Sequence, residues 1–146
     1  MVRLEVLSGD YMTEKSERGR TFTVPATAQG KRVVDAMTTL LSGRLVGTPA
    51  EPLFAKERMS NAALGMHVRK LSGALIAAAN GELGEQDVAW LTRVHQDAHI
   101  TGEQFDYVVG GVAGALTEAG EDGAVQAILP LVPTLREAFI QPPQQA

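Results

Sequence analysis

Residues 91–120 read LTRVHQDAHITGEQFDYVVGGVAGALTEAG, and two helical patterns meet within this stretch. His95 closes the apolar stripe of the first pattern. Thr101, with Gln104 three residues later, predicts a capping box at the start of the second helix. A histidine on an apolar stripe is either a hydrogen-bonded core residue or a ligand to something enclosed by the helices. The second helix has a long apolar stripe before Gly120, made of Phe105, Val108, Val109, Val112 and Leu116.

Length and composition predict one soluble globular domain. The chain has 146 residues, 45% of them hydrophobic, and its apolar runs are too short to span a membrane. The net charge is −4 and the basic residues are scattered, so we expect no nucleic-acid partner. The absence of cysteine excludes disulfides and thiolate metal sites. Because Glu5 and Asp10 stand where a secretory signal needs an apolar core, we expect a cytoplasmic protein.

The start of the chain differs in pattern from the rest. Residues 2–24 combine short β-branched stretches with turn-prone, charged residues, which predicts a hairpin or an extended arm. The residues that follow have helical periodicity, and the fold class is therefore all-α apart from this arm. The predicted divisions are an arm over 1–30, a helical domain over 31–140 and a frayed tail over 141–146.

Five helices are predicted from the apolar periodicity. We expect kinks in the last one at Pro130 and Pro133, because an interior proline removes a backbone donor. Glycines inside the second and fourth helices predict close helix crossings, and these are Gly65, Gly73, Gly110, Gly111 and Gly114. The predicted helices start at Lys31 and run to about 47, then cover about 59–79, 86–97, 101–120 and 123–139.

The three histidines of the chain are His67, His95 and His99. His67 lies at the edge of the apolar stripe of the second helix, and His95 lies on that of the third. Two consecutive helices thus direct one imidazole each toward the same interior, and neither stripe contains a carboxylate. This favours a flat apolar ligand between the helices, with a metal held by neutral imidazole. His95 and His99 have a spacing that can hold zinc, but no carboxylate completes such a set.

Three stretches of the chain resemble the truncated haemoglobins, most closely the first group of that family. They are residues 91–120, quoted above, VVDAMTTLLSGRL at 33–45, and PLFAKERMSNAALGMHVRKLSGALIAAANG at 52–81. The order of these stretches and the ten-residue spacing from His95 to Phe105 carry the resemblance. It implies a globin-like helical sandwich around a pocket for haem b.

The resemblance also implies roles for individual residues. His95 would be the proximal ligand of the haem iron, and its other ring nitrogen would donate to a backbone carbonyl. His67 would occupy the distal site. Lys70 or Arg69 would pair with a haem propionate, unless they are ordinary solvated charges. The remaining implied haem contacts are Met37, Phe54, Leu71, Val94 and Phe105.

The distal pocket departs from the family pattern. The family usually places a tyrosine on the helix that roofs the pocket and often a glutamine on the distal helix, where this chain has Met37 and Leu71. His67 is then the one evident donor to a bound gas, and a single hydrogen bond contributes about 1 kcal/mol net. Bound oxygen would be weakly restrained, or His67 would itself ligate the iron.

Three functional hypotheses follow. The first is a haem protein that binds diatomic gases, oxygen or nitric oxide, with conversion of nitric oxide to nitrate if a reductase supplies electrons. The second is a specialised haem enzyme of peroxidase or biosynthetic type, because the pocket lacks the gas-retaining tyrosine. The third is a haem-free helical interaction domain in which both histidines are core residues. The sequence does not predict an oligomeric state.

Overall fold

A computed structural model describes residues 22–95 and 98–140, and all regular structure within these ranges is helical. The all-α prediction is confirmed for this part of the chain. Most of the predicted arm, the predicted end of the third helix at 96–97 and the tail at 141–146 lie outside the described residues. The α-helices are α1 (Ala28–Thr39), α2 (Asn61–Ala79), α3 (Glu85–Val94), α4 (Gly102–Glu118), α5 (Asp122–Ile128) and α6 (Val132–Phe139).

Helix α1 begins three residues before the predicted start at Lys31. The side chain of Thr27 accepts a hydrogen bond from the backbone N–H of Gly30 at 3.1 Å, and this cap fixes the start of the helix. After Thr39 the chain continues as a π-helical turn over Leu40–Arg44, with both leucines of that turn buried. A short 3-10 turn over Glu51–Phe54 then leads toward α2.

The capping box predicted for α4 is present. The backbone N–H of Gln104 donates to Oγ1 of Thr101 at 3.1 Å, and the backbone N–H of Thr101 donates to Oε1 of Gln104 at 3.0 Å. The Gln104 side chain also donates to the carbonyl of Pro49 at 3.1 Å. The start of α4 is therefore tied to the loop that precedes the Glu51–Phe54 turn.

The fifth predicted helix is broken, as the prolines indicate. Helix α5 ends at Ile128, a 3-10 turn covers Leu129–Leu131, and α6 begins at Val132 with Pro133 in its first turn. A proline is tolerated in the first turn because its missing N–H would have had no helical partner there. The break gives α6 a direction of its own. The described residues thus contain five helical units, with α5 and α6 forming the last.

The helices pack around a shared core. Helix α2 contacts α1 and α5, and α4 contacts α1, α5 and α6. Helix α3 contacts α6 at one side. The most deeply buried side chains include Val33, Met37, Leu40 and Leu116. No helix in the described ranges is long and apolar enough to cross a membrane.

A buried carboxylate links α1 to the turn between α4 and α5. Glu121 is 6% exposed and accepts hydrogen bonds from the Gln29 side chain at 2.9 Å and from two nitrogens of Arg32 at 2.9 and 3.1 Å. The hydrogen bond from Gln29, together with that from Arg32 and its positive charge, holds the pKa of Glu121 below its ordinary value. The carboxylate is therefore satisfied in its charged form.

Two of the glycines predicted to allow close helix crossings have a close neighbour, but only Gly111 meets another helical segment as predicted, since the neighbour of Gly73 lies before α1. A Cβ at Gly111 would lie 2.6 Å from Cδ1 of Leu40, and a Cβ at Gly73 would lie 2.8 Å from Cβ of Phe22 and 2.9 Å from its backbone oxygen. Gly73 thus lets the chain before α1 lie directly on α2. The other three glycines, Gly65, Gly110 and Gly114, face open space, and for them the prediction is wrong.

Candidate functional site

A large apolar cavity lies between α2, α3, α4 and the α5–α6 unit. Its volume is about 880 Å³, which is in the range of pockets that enclose a cofactor or a drug-sized ligand. Among the described residues that line it, His67, Lys70 and His95 are the ones with a basic side chain, and none has a carboxylate. The remaining wall is aliphatic and aromatic. The site can therefore take a mostly apolar ligand, and it offers imidazole nitrogens to a metal.

His95 enters the cavity from the end of α3, where it is the residue that caps the helix. Its Nδ1 atom lies 2.8 Å from the carbonyl oxygen of Leu91, one turn earlier. In the neutral ring this geometry places the proton on Nδ1, which donates to the carbonyl. Nε2 then carries the free lone pair and is the atom available to a metal.

The ring of His95 is also held by an aromatic contact. It stacks on the ring of Phe139, with 4.3 Å between the ring centroids and 18° between the planes. Phe105 meets Phe139 edge to face, at 5.7 Å and 81°. These three rings all line the cavity, and they bring together the ends of α3 and α6 and the start of α4.

His67 lies on α2 and lines the same cavity. Burial lowers the pKa of His67, and electrostatic interaction with the neighbouring basic side chains of His95 and Lys70 lowers it further. The ring is therefore neutral at neutral pH. Its contact within the described part of the chain is a tilted one with Phe54, at 5.7 Å and 48°, and no described residue forms a hydrogen bond with it. A neutral imidazole of this kind has one donor and one acceptor nitrogen available to a ligand.

The structure brings most of the predicted site residues together. Met37 and Arg69 are the exceptions: Met37 is fully buried in the core, and neither residue lines the cavity. Leu41 takes the expected position of Met37 on the wall, at the start of the π-helical turn that follows α1. The predicted residues that do line the cavity are Phe54, His67, Lys70, Leu71, Val94, His95 and Phe105.

His99 lies apart from this cluster. It is exposed, its backbone has a left-handed φ of 55°, and it does not line the cavity. Within the described ranges no group of three or more histidine, cysteine, aspartate or glutamate side chains is placed to hold a metal ion. The zinc interpretation of His95 with His99 therefore has no support in the described residues.

Three aromatic residues of the site, Phe22, Trp90 and Phe139, are not predicted from the sequence as site residues. Phe139 lies on the apolar face of the last helix, and that periodicity is the signal for its inward position. Phe22 lines the cavity from the segment before α1 and packs over Gly73. Phe22 lies in a segment without helical periodicity. Gly73 of α2 is the residue whose lack of a side chain indicates room for this close approach.

Comparison of the chain with known protein families, with curated proteins and with solved structures gave no match. No family is thus identified for this all-helical domain. The resemblance to truncated haemoglobins stays a prediction, and the interpretation of the site depends on its geometry.

Proposed function

We propose that this chain is a haem-binding protein of globin type that binds diatomic gases. The observation that carries the proposal is the pair of imidazoles, His67 and His95, which come from different helices and line one apolar cavity. Both imidazoles are half-buried, and polar side chains removed from water are normally hydrogen-bonded. The described residues give His95 such a partner through Nδ1 alone and give none to His67. The nitrogens left over are suited to a ligand.

The residues of the cavity fit haem b. A porphyrin is a flat, largely apolar ring with two carboxylates at one edge, and the cavity has apolar walls and an exposed lysine, Lys70, in its lining. His95 would hold the iron through Nε2, and Phe54, Leu71 and Phe105 would contact the ring. Lys70 would pair with a propionate. Haem, when bound, supplies an iron centre with affinity for oxygen and nitric oxide.

The arrangement of the helices supports a globin-type fold. Helix α1 packs on α2, α4 packs on α5 and α6, and α3 presents His95 to the cavity. This is the order of helices that the resemblance implies for residues 33–140. The π-helical turn after α1 contributes Leu41 to the wall in place of the expected Met37. The distal side remains apolar, with His67 as its polar group.

The properties of His67 allow two roles. Its lowered pKa keeps the ring neutral, so it can donate one hydrogen bond to a diatomic ligand or present a lone pair to the iron. Spectra of the ferric, ferrous and carbon-monoxide forms distinguish these roles, because they report whether the resting iron is five- or six-coordinate.

The test of this function is a haem titration of the purified chain, followed by absorption spectroscopy. We expect one haem per chain and a sharp Soret band, and we expect His95→Ala to lose or displace that band. The matched control is His99→Asn, which removes an imidazole four residues away. Asparagine tolerates the left-handed backbone found at that position.

Two outcomes would contradict the proposal. The first is a wild-type protein that remains folded and colourless with haem present. This result would favour the haem-free interaction domain. The second is a His95→Ala spectrum identical to those of the wild type and of His99→Asn. This result would show that His95 is not the iron ligand.

A further inference from the structure

We infer that Phe139 is the residue that sets the plane of the His95 ring, and so positions it as an iron ligand. The inference rests on the proposed function, because the orientation of the ring has a consequence only if His95 binds haem. The two rings are nearly parallel, with 18° between their planes and 4.3 Å between their centroids. Phe139 therefore covers one face of the imidazole.

The stack and the hydrogen bond of His95 restrain different motions. The bond from Nδ1 to the Leu91 carbonyl, at 2.8 Å, fixes the tautomer and the direction of one edge of the ring. A single hydrogen bond tolerates some tilting of the donor plane, since its angular preference is broad. A flat ring stacked at van der Waals distance limits that tilting. The lone pair of Nε2 lies in the imidazole plane, so the stack leaves it free to face the cavity.

Phe139 is itself well supported. Phe105, which is 5% exposed, meets its ring edge to face at 5.7 Å. One turn earlier on α6, Arg136 donates to both carboxylate oxygens of Asp106 on α4, at 3.0 and 3.3 Å. This pair is half exposed and contributes little to stability, but it gives α6 a fixed register on α4. Both contacts come from α4, so the aromatic support of His95 is anchored to that helix.

The orientation of an axial imidazole affects the strength of its bond to iron. Residues that orient a metal ligand typically change metal affinity or activity 10- to 100-fold when they are replaced. We therefore expect Phe139→Leu, which keeps an apolar side chain but lacks a flat face, to raise the haem dissociation rate about 10- to 100-fold. Phe139→Tyr keeps the flat face and should behave as the wild type.

The experiment measures two properties of the haem-loaded protein. One is the rate of haem transfer to an excess of a haem-accepting protein. The other is the iron–histidine stretching band in resonance Raman spectra, recorded just after photolysis of the carbon-monoxide form so that a second ligand does not mask it. We expect Phe139→Leu to shift or broaden this band and to speed haem loss. The matched control is Thr134→Ala, at an exposed position of α6 that does not line the cavity; it should leave the band in place.

The outcomes separate this inference from the function on which it rests. A wild-type protein without a haem spectrum overturns the proposed function and this inference together. A normal wild-type band that is unchanged in Phe139→Leu overturns the inference alone. A shift in Thr134→Ala equal to that in Phe139→Leu also overturns it, because a substitution on α6 away from His95 would then have the same effect.

Discussion

The two sides of this helical domain are packed in different ways. Around α1 and α4 the core is solid, and Met37, Leu40 and Leu116 have at most 1% of their surface exposed. On the other side, α3 contains no buried apolar residue and α6 contains no buried residue at all. Both of these helices nevertheless turn apolar side chains toward the cavity.

Under the proposed function, this difference separates the part that holds the fold from the part that would receive haem. The solid side contains the most deeply buried side chains. The side chains of α3 and α6 border open space, so their burial is completed by whatever fills the cavity. Each Å² of apolar surface removed from water contributes about 25 cal/mol, and a flat apolar cofactor would supply that burial.

The largest expected effect comes from truncating one leucine on each side. Leu116→Ala should lower the free energy of unfolding by about 2–5 kcal/mol, because the side chain is fully enclosed and leaves a cavity. Leu91→Ala, on α3, should cost less than about 1 kcal/mol in the haem-free protein, since that side chain already borders open space. Urea denaturation monitored by circular dichroism measures both. Equal losses would show that the two sides are equally well packed.

A second expected effect concerns the local stability of α3. Without haem, the amides of α3 should exchange with solvent faster than those of α1, because few packed contacts oppose local opening of α3. Haem at a free concentration of about 100 times its dissociation constant should raise the free energy of that opening by up to about 2.7 kcal/mol. Hydrogen exchange followed by mass spectrometry provides the comparison. Two results would contradict the assignment of α3 to the cavity side. One is exchange from α3 that is already as slow as that from α1 without haem, and the other is exchange from α3 that haem does not change.

The features that the sequence predicts well are those that local patterns determine. The start of α4 follows from the Thr101–Gln104 capping box, and the break between α5 and α6 follows from Pro130 and Pro133. The inward positions of His67 and His95 follow from apolar periodicity. Each of these depends on residues within one or two helical turns, so a single chain contains the needed information.

The remaining features depend on contacts between distant residues. The π-helical turn at Leu40–Arg44 does not alter the apolar periodicity of the sequence. The periodicity therefore does not indicate whether Met37 or Leu41 lines the cavity. The position of Phe22 is set by the room that Gly73 leaves on α2. The stack of Phe139 on His95 depends on the direction that α6 takes after the break. A kink is predictable from proline, but the direction of the helix that follows depends on what it packs against.

The smallest expected effect is a gain in stability at a buried hydroxyl on the packed side. Ser72 of α2 is fully buried, and its Oγ has no hydrogen-bond partner among the described residues. An unsatisfied buried polar group costs about 1–3 kcal/mol, and alanine removes it with little change in volume. We expect Ser72→Ala to raise the free energy of unfolding by about 1 kcal/mol, at the low end of that range. The haem spectrum should not change, because Ser72 does not line the cavity.

Ser42→Ala is the matched control for this hydroxyl. Ser42 is exposed, and its Oγ donates to the carbonyl of Thr38 at 2.5 Å, so its removal should change stability by no more than about 0.5 kcal/mol. Both variants can be compared by urea denaturation under the same conditions. If Ser72→Ala is less stable than the wild type, the hydroxyl has a partner, such as an enclosed water molecule. The packed side would then also enclose a cavity, and a polar one. The difference in packing between the two sides would be smaller than the burial of the apolar residues on the packed side indicates.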